Sequence, residues 1–286
     1  MAYPVPTSLS PSRVEAFTSC PLAFRFASID HLPEPPHPAT AKGSLVHRVL
    51  ELLFCREPLD RTPPAAADDL ARAVAELRDD PEFVLLALDE PAQEAFFADA
   101  SRLVERYFAM EDPRAVRAIG LELRLEATVG DLTLRGIIDR LELDDDGELV
   151  VTDYKTGRAP AVNREQQRLG GVHFYAFLCE QALGKRPARI QLLYLSTGDI
   201  IETRPSEQST RFLPRRTEAV YQAVTRACAS EDFRPRTGPL CAFCAFKAWC
   251  PAFGGDPERA AVEAPLAFAM PGSPPVPGRP PVPVSA

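Results

Sequence analysis

The sequence predicts an α/β domain. Three stretches in succession, 119–129, 132–143 and 148–155, alternate and branch as strands do. A helical stretch over about 163–183 and another strand at 188–195 follow, and helical periodicity dominates on both sides of this block. The 286 residues are 45% hydrophobic and 25% charged, enough apolar material for a sizeable core.

The elements follow in order. Residues 10–28 read as a helix that Ser10 caps and Pro11 starts, with Phe17, Leu22 and Phe24 as its apolar surface and a break at Pro21. Residues 30–41 form a Pro-rich loop. From Gly43 to about Phe54 the apolar spacing is helical again. Residues 64–110 read as two or three Ala- and Leu-rich helices broken near Pro81 and Pro91, an insert without evident chemistry that packs against a core. Asp144–Gly147 is the hairpin turn between the second and third strands. After the strand at 188–195, residues 196–199 turn into a strand from Ile200, and 214–230 suits a helix. Residues 235–253 are a cysteine-bearing coil. The whole of 1–254 reads as one domain and 255–286, rich in Pro, Ala and Val, as a disordered tail.

Several classes are excluded. No apolar run reaches the roughly 18 residues of a membrane helix, and the first residues lack the basic and apolar regions of a signal peptide, so a cytoplasmic protein is expected. A net charge of −8 argues against binding nucleic acid through a broad basic surface, but leaves room for metal ions and a local basic groove. No phosphate loop is present, so the chain is not by itself an ATP-driven motor, and no sequence-reading DNA motif is found.

Two groups of residues carry chemistry. The first is Gly136-Ile-Ile-Asp139-Arg140 followed by Val151-Thr-Asp153-Tyr154-Lys155-Thr-Gly157. Alternate residues of a strand share a face, so Asp153 and Lys155 point together and Tyr154 points away. Hairpin pairing brings Asp139 near Asp153. Two carboxylates and an ammonium at a strand end suit Mg²⁺ or Mn²⁺, with a lysine beside the ion. The second group is Cys20 with Cys241-x₂-Cys244-x₅-Cys250, and this spacing points to metal. Four thiolates suit an iron–sulfur cluster or Zn²⁺ equally. Cys55, Cys179 and Cys228 stand alone on helical patterns and read as buried, unliganded residues.

The Gly-x-Ile-Asp-Arg and Asp-Tyr-Lys-Thr-Gly motifs resemble those of the RecB-like exonucleases of the PD-(D/E)xK superfamily, over about residues 8–253. The resemblance implies a restriction-endonuclease-like fold: a mixed central sheet flanked by helices, with a helical insert. It implies that His47, in Gly43-Ser-Leu-Val-His47, joins Asp139, Asp153 and the Tyr154 carbonyl as metal ligands, and that Lys155 orients the attacking water. Tyr175 matches the tyrosine of the family's Gln-x-x-x-Tyr motif. Gly171 stands at the glutamine position, with Gln167 one turn earlier as a substitute along the substrate. The four cysteines match the [4Fe–4S] staple of AddB-type relatives, with Zn²⁺ as the other occupant. Arg140 is either a substrate contact beside the site or a structural ion pair.

The resemblance implies a metal-dependent deoxyribonuclease acting on single-stranded or duplex DNA ends in repair or recombination, alone or with a separate helicase, and with no membrane partner. A DNA-end-binding accessory subunit with weak chemistry, and an iron–sulfur redox sensor, are the alternatives.

Overall fold

The computed structural model describes residues 2–159 and 165–267, with side chains from residue 171 onward in the second span. The chain opens with strand β1 (Ser8–Leu9) and helices α1 (Pro11–Ser19) and α2 (Pro21–Phe24). Ser10 accepts from the Arg13 N–H at the start of α1, and Pro21 ends that helix and starts the next, as the sequence predicts. A π-helical turn over Arg25–Ile29 completes this stretch.

Helix α3 (Pro38–Phe54) begins five residues before the predicted start. The last prolines of the expected loop are read differently by the backbone: Pro38 takes the first helical position, where its missing N–H is no loss, and the His37 ring accepts from Ala39 N–H. The insert forms α4 (Pro63–Arg78), the single turn α5 (Pro81–Val84) and α6 (Glu90–Met110). Pro81 and Pro91 again sit at helix starts, with Asp80 and Asp89 as caps. A proline that looks like a break is here a beginning.

The sheet has six strands. The other five are β2 (Arg117–Val129), β3 (Leu132–Leu143), β4 (Leu149–Lys155), β5 (Arg189–Tyr194) and β6 (Asp199–Thr203). Its order is β1-β3-β4-β5-β6, with β2 on the other side of β3. Neighbours β2–β3, β3–β4 and β5–β6 are antiparallel; β1–β3 and β4–β5 are parallel, and α7 (Glu165–Leu183) makes the β4–β5 crossover. The sheet is therefore mixed, with helices on both faces. Strand β4 lies under helices on both sides, which is why Leu149–Val151 read as an unbroken apolar run.

Two cores result. On one face α1, α2, α7 and α8 (Glu207–Ser230) bury Phe24, Phe26, Leu134, Ile138, Val151, Phe174 and Leu178. On the other, α3–α6 bury Val49, Leu53, Ala100 and Tyr107 against Tyr154 and Leu193. The insert thus forms one wall of the domain.

Helix α8 starts seven residues before the predicted Pro214. A reciprocal Ser206–Ser209 cap and the burial of Thr210, Leu213 and Thr217 outweigh the one backbone bond that Pro214 removes. Part of the stretch expected as a tail is structured. Residues Pro257–Arg259 and α9 (Ala260–Ala267) fold onto the domain, burying Ala260 and Ala264, while Trp249 Nε1–H donates to Glu263 (2.8 Å). Residues 268–286 of that tail lie outside the described residues. Of the three lone cysteines, Cys179 and Cys228 are buried as expected and Cys55 is exposed. Among the described residues no helix is long and apolar enough to cross a membrane.

Candidate metal centre and active-site cleft

Strand β3 is longer than either neighbour on its inner edge. Along that edge β1 pairs with it at Thr133–Leu134, and β4 pairs with it at Arg140–Leu143. Between them the β3–β4 ladder opens, and Asp139 and Asp153 stand at the fork. Asp139 takes over the role of the missing ladder partner: its carboxylate accepts the Tyr154 N–H at 2.7 Å.

The same point disturbs β2. Leu121 pairs with Arg140 and Leu123 with Ile138, so Glu122 falls opposite Asp139. Glu122 has φ +43°, a left-handed conformation that a non-glycine residue adopts at a cost. The alternation of faces inverts here. Leu123 and Ile138 pack in the α7-side core, whereas Leu121 and Arg140 turn to the α3–α6 side.

The inversion collects a ligand set. His47 of α3, Glu122 of β2 and Asp139 of β3 each offer one donor atom, and the three lie within 4.8 Å of one another. His47 Nε2–H donates to the Tyr154 carbonyl (3.0 Å), which leaves Nδ1 as the lone-pair atom, 3.6 Å from Asp139 Oδ2. Burial and the Asp153 charge push the Asp139 carboxyl up to about 7, against the pull of the Tyr154 N–H. Burial and Asp139 likewise raise Glu122. Crowded carboxylates whose charged forms burial and each other disfavour, beside a histidine lone pair, are what a hard divalent cation relieves. The residues present therefore fit such an ion.

Asp153 and Lys155 share one face of β4, with Lys155 Nζ 2.6 Å from Asp153 Oδ2. Burial works against the ammonium, but Asp153 holds the Lys155 pKa above its ordinary value. Lys155 is thus a cation and a donor at any physiological pH, not a base. Of the residues expected to bind metal, His47 and Asp139 are in the trio. Asp153 stands beside it in its pair with Lys155, and the Tyr154 carbonyl is engaged by His47. Glu122 is the member that the sequence reading missed. Its signal, a position on β2 opposite Asp139, becomes visible only once the register is known.

Asp153 and Lys155 open into a cleft of about 1160 Å³. Gly171 and Tyr175 of α7 line it, with Arg124, Arg135 and Arg216. Tyr175 lies over Gly136, where a Cβ would come within 3.2 Å of the ring. The Gln167 side chain lies outside the described residues.

Arg140 is corrected by the structure: it is not a substrate contact. It is fully buried on the opposite face, where it donates to Glu111, to Tyr154 Oη (2.8 Å) and to Thr152 Oγ1 (3.1 Å). Its Nε lies 2.5 Å from Glu142, and its guanidinium stacks over Phe54.

The four cysteines converge although Cys20 is more than 200 residues from the rest. Arg236 N–H donates to Cys20 Sγ (3.5 Å) and Gly238 N–H to Cys241 Sγ (3.4 Å). The Cys244 thiol is pushed up by burial and by the nearby Cys20, Cys241 and Cys250.

A family model described as the PD-(D/E)XK nuclease superfamily matches residues 8–251. The Gene 69 protein of Mycobacterium phage D29 is 25% identical over 268 residues, covering 85% of this chain and 96% of the phage protein. The solved structure described as SSO0001 is 15% identical, with a TM-score of 0.40 over 86% of each chain. The match spans β1 to the last cysteine with the acid–lysine fork at its centre: the chain belongs to the PD-(D/E)XK nuclease superfamily, whose members are typically metal-dependent, phosphodiester-hydrolysing nucleases.

Proposed function

We propose that this protein is a RecB-like deoxyribonuclease that degrades DNA from its ends in repair or recombination, in the cytoplasm, alone or beside a separate helicase. The observation that carries the reading is the His47–Glu122–Asp139 trio next to the Asp153–Lys155 pair, which lines a cleft of about 1160 Å³. His47, Glu122 and Asp139 hold Mg²⁺ or Mn²⁺, with Asp153 completing the acidic side. The bound ion supplies Lewis acidity toward the phosphate and offsets the charge that develops there. Lys155 donates to the attacking water and to a phosphate oxygen, and Asp153 fixes the ammonium for both tasks. The Tyr175 phenol, its pKa raised by burial, stays protonated and donates to the strand.

The test is cutting of end-labelled single-stranded and duplex DNA in Mg²⁺ or Mn²⁺ against EDTA, with folded Asp153→Ala and Lys155→Ala alongside. Loss of one positioned group of this kind costs about 10²–10³ in rate. Metal-independent cutting, or unimpaired variants, refutes the assignment, and the product ladder separates exonuclease from endonuclease.

The same reading includes a [4Fe–4S] cluster on Cys20, Cys241, Cys244 and Cys250. Support comes from the backbone N–H groups aimed at the sulfurs, a pattern that stabilises metal thiolates. Anaerobic purification followed by iron, sulfide and zinc analysis decides the occupant. Cys20→Ser is expected to lose both the metal and the cooperative unfolding transition. A metal-free wild type that is fully folded refutes the staple.

A further inference from the structure

The helical insert carries no chemistry that its sequence reveals, yet its last helix builds a second cleft, of about 460 Å³. The lining comes from three places: Lys42 of α3, Asp99, Arg102 and Arg106 of α6, and the Thr156–Arg158 loop with Ser196. That loop directly follows Lys155, which lines the first cleft. Gly43, one turn before His47, sits beside this loop, where a Cβ would make an ordinary contact with Thr156 Oγ1 at 3.5 Å.

The chemistry of this cleft is cationic in a chain of net charge −8. Four basic side chains surround one carboxylate. Asp99 is shared: it accepts from Arg102 (2.9 Å) and pairs with Lys42, and the Lys42 bond holds its carboxyl below the ordinary range. Asp99 can satisfy only part of the charge around it. Arg106 donates to the Ser196 carbonyl, which aligns the guanidinium without neutralising it. Arg158 is exposed and makes no ion pair among the described residues. Guanidinium and ammonium groups left in surplus, on rigid elements, form a phosphate-binding surface.

We infer that this cleft is where the substrate strand continues. Arg102, Arg106, Arg158 and Lys42 hold the backbone phosphates on the side of the scissile bond away from Tyr175. The insert is thereby a nucleic-acid clamp that confines the strand between α6 and the end of β4. The inference rests on the nuclease reading above and assigns a part of its substrate path.

The test reads binding, not cutting. Anisotropy of a fluorescein-labelled oligothymidylate is measured in EDTA over a salt series, for wild type and for Arg102→Gln with Arg158→Gln. The comparison variant is Arg72→Gln with Arg234→Gln, which removes the same charge from exposed positions outside both clefts. Circular dichroism checks each fold. The cleft variant is expected to bind about 25-fold more weakly at 0.1 M salt, with a log–log salt slope smaller by about 1.4, while the comparison variant matches wild type. Equal weakening in both variants, or an unchanged slope in the cleft variant, overturns the clamp. A wild type that binds with this slope but never cuts DNA sinks the nuclease reading instead and leaves the cleft as a binding surface.

Discussion

Asp139→Asn should make the metal-free protein more stable while abolishing its metal response. The Asp139 side chain is only 11% exposed and stands next to Asp153, and these two facts lift its carboxyl from 3.8 to about 7. By linkage, a carboxyl raised in the folded state favours folding while it holds its proton. That advantage is present below about pH 4 and is lost as pH rises through about 7. Above pH 7 the wild type carries a penalty of at most about 4 kcal/mol. Asparagine can still accept the Tyr154 N–H but carries no charge to desolvate. In EDTA the variant and the wild type should therefore be equally stable near pH 4. At pH 8 the variant should gain up to about 4 kcal/mol, or about 1.3 M in urea midpoint at an m-value of about 3 kcal/mol/M. Saturating Mn²⁺ narrows the gap: at about 100 times its Kd it stabilises the wild type by about 2.7 kcal/mol and leaves the variant unmoved. Urea unfolding followed by far-UV circular dichroism, at both pH values and with and without metal, measures all four states. If Asp139→Asn is no more stable than wild type at pH 8 in EDTA, the crowding argument for the metal centre is wrong.

Two further predictions concern the walls of the site. Arg140→Met removes the cation that Glu142 and Glu111 share on the far face and should destabilise by about 3–5 kcal/mol, with Glu142→Gln recovering part of it in the double variant; unfolding midpoints check this, and a neutral outcome would deny Arg140 its structural role. Gly136→Val places methyl groups against Leu178 and Tyr175, where even a Cβ would meet Leu178 Cδ1 at 2.7 Å. It should cost about 1–3 kcal/mol and raise the KM for DNA more than it lowers kcat, as seen in steady-state kinetics.

The catalytic strand was legible because its evidence is local. Asp153, Tyr154 and Lys155 alternate by strand geometry alone, and the Asp144–Gly147 turn sets the β3–β4 pairing that brings Asp139 alongside. Glu122 was not legible, because it belongs to the site only through the face inversion at its left-handed backbone, which no period-2 pattern contains. Arg140 was ambiguous for a related reason. Its partners Glu111 and Tyr107 lie about thirty residues away on α6, and nothing in the strand announces them. The helix starts at Pro38 and Glu207 were missed where capping by His37 and by Ser206 with Ser209 overrode the loop signals. The cationic cleft could not be read because Lys42, Arg102 and Arg158 come together only in three dimensions.

The first and last structured segments of this chain are interleaved. Strand β1 pairs with the start of β3, the Tyr3 N–H donates to the Cys228 carbonyl, and Arg25 reaches Glu258. During synthesis the ribosome releases α1 and α2 more than 200 residues before the last of their cover, Phe246, Trp249 and Ala260, exists. These early helices must wait, apolar faces open, until the last cysteines emerge, which makes the protein a slow and non-local folder. A truncation at residue 230 would therefore remove Phe233, Phe246, Trp249, Ala260 and Ala264 from that core, and the rate at which the C-terminal part is translated should govern how much of the chain reaches the native state.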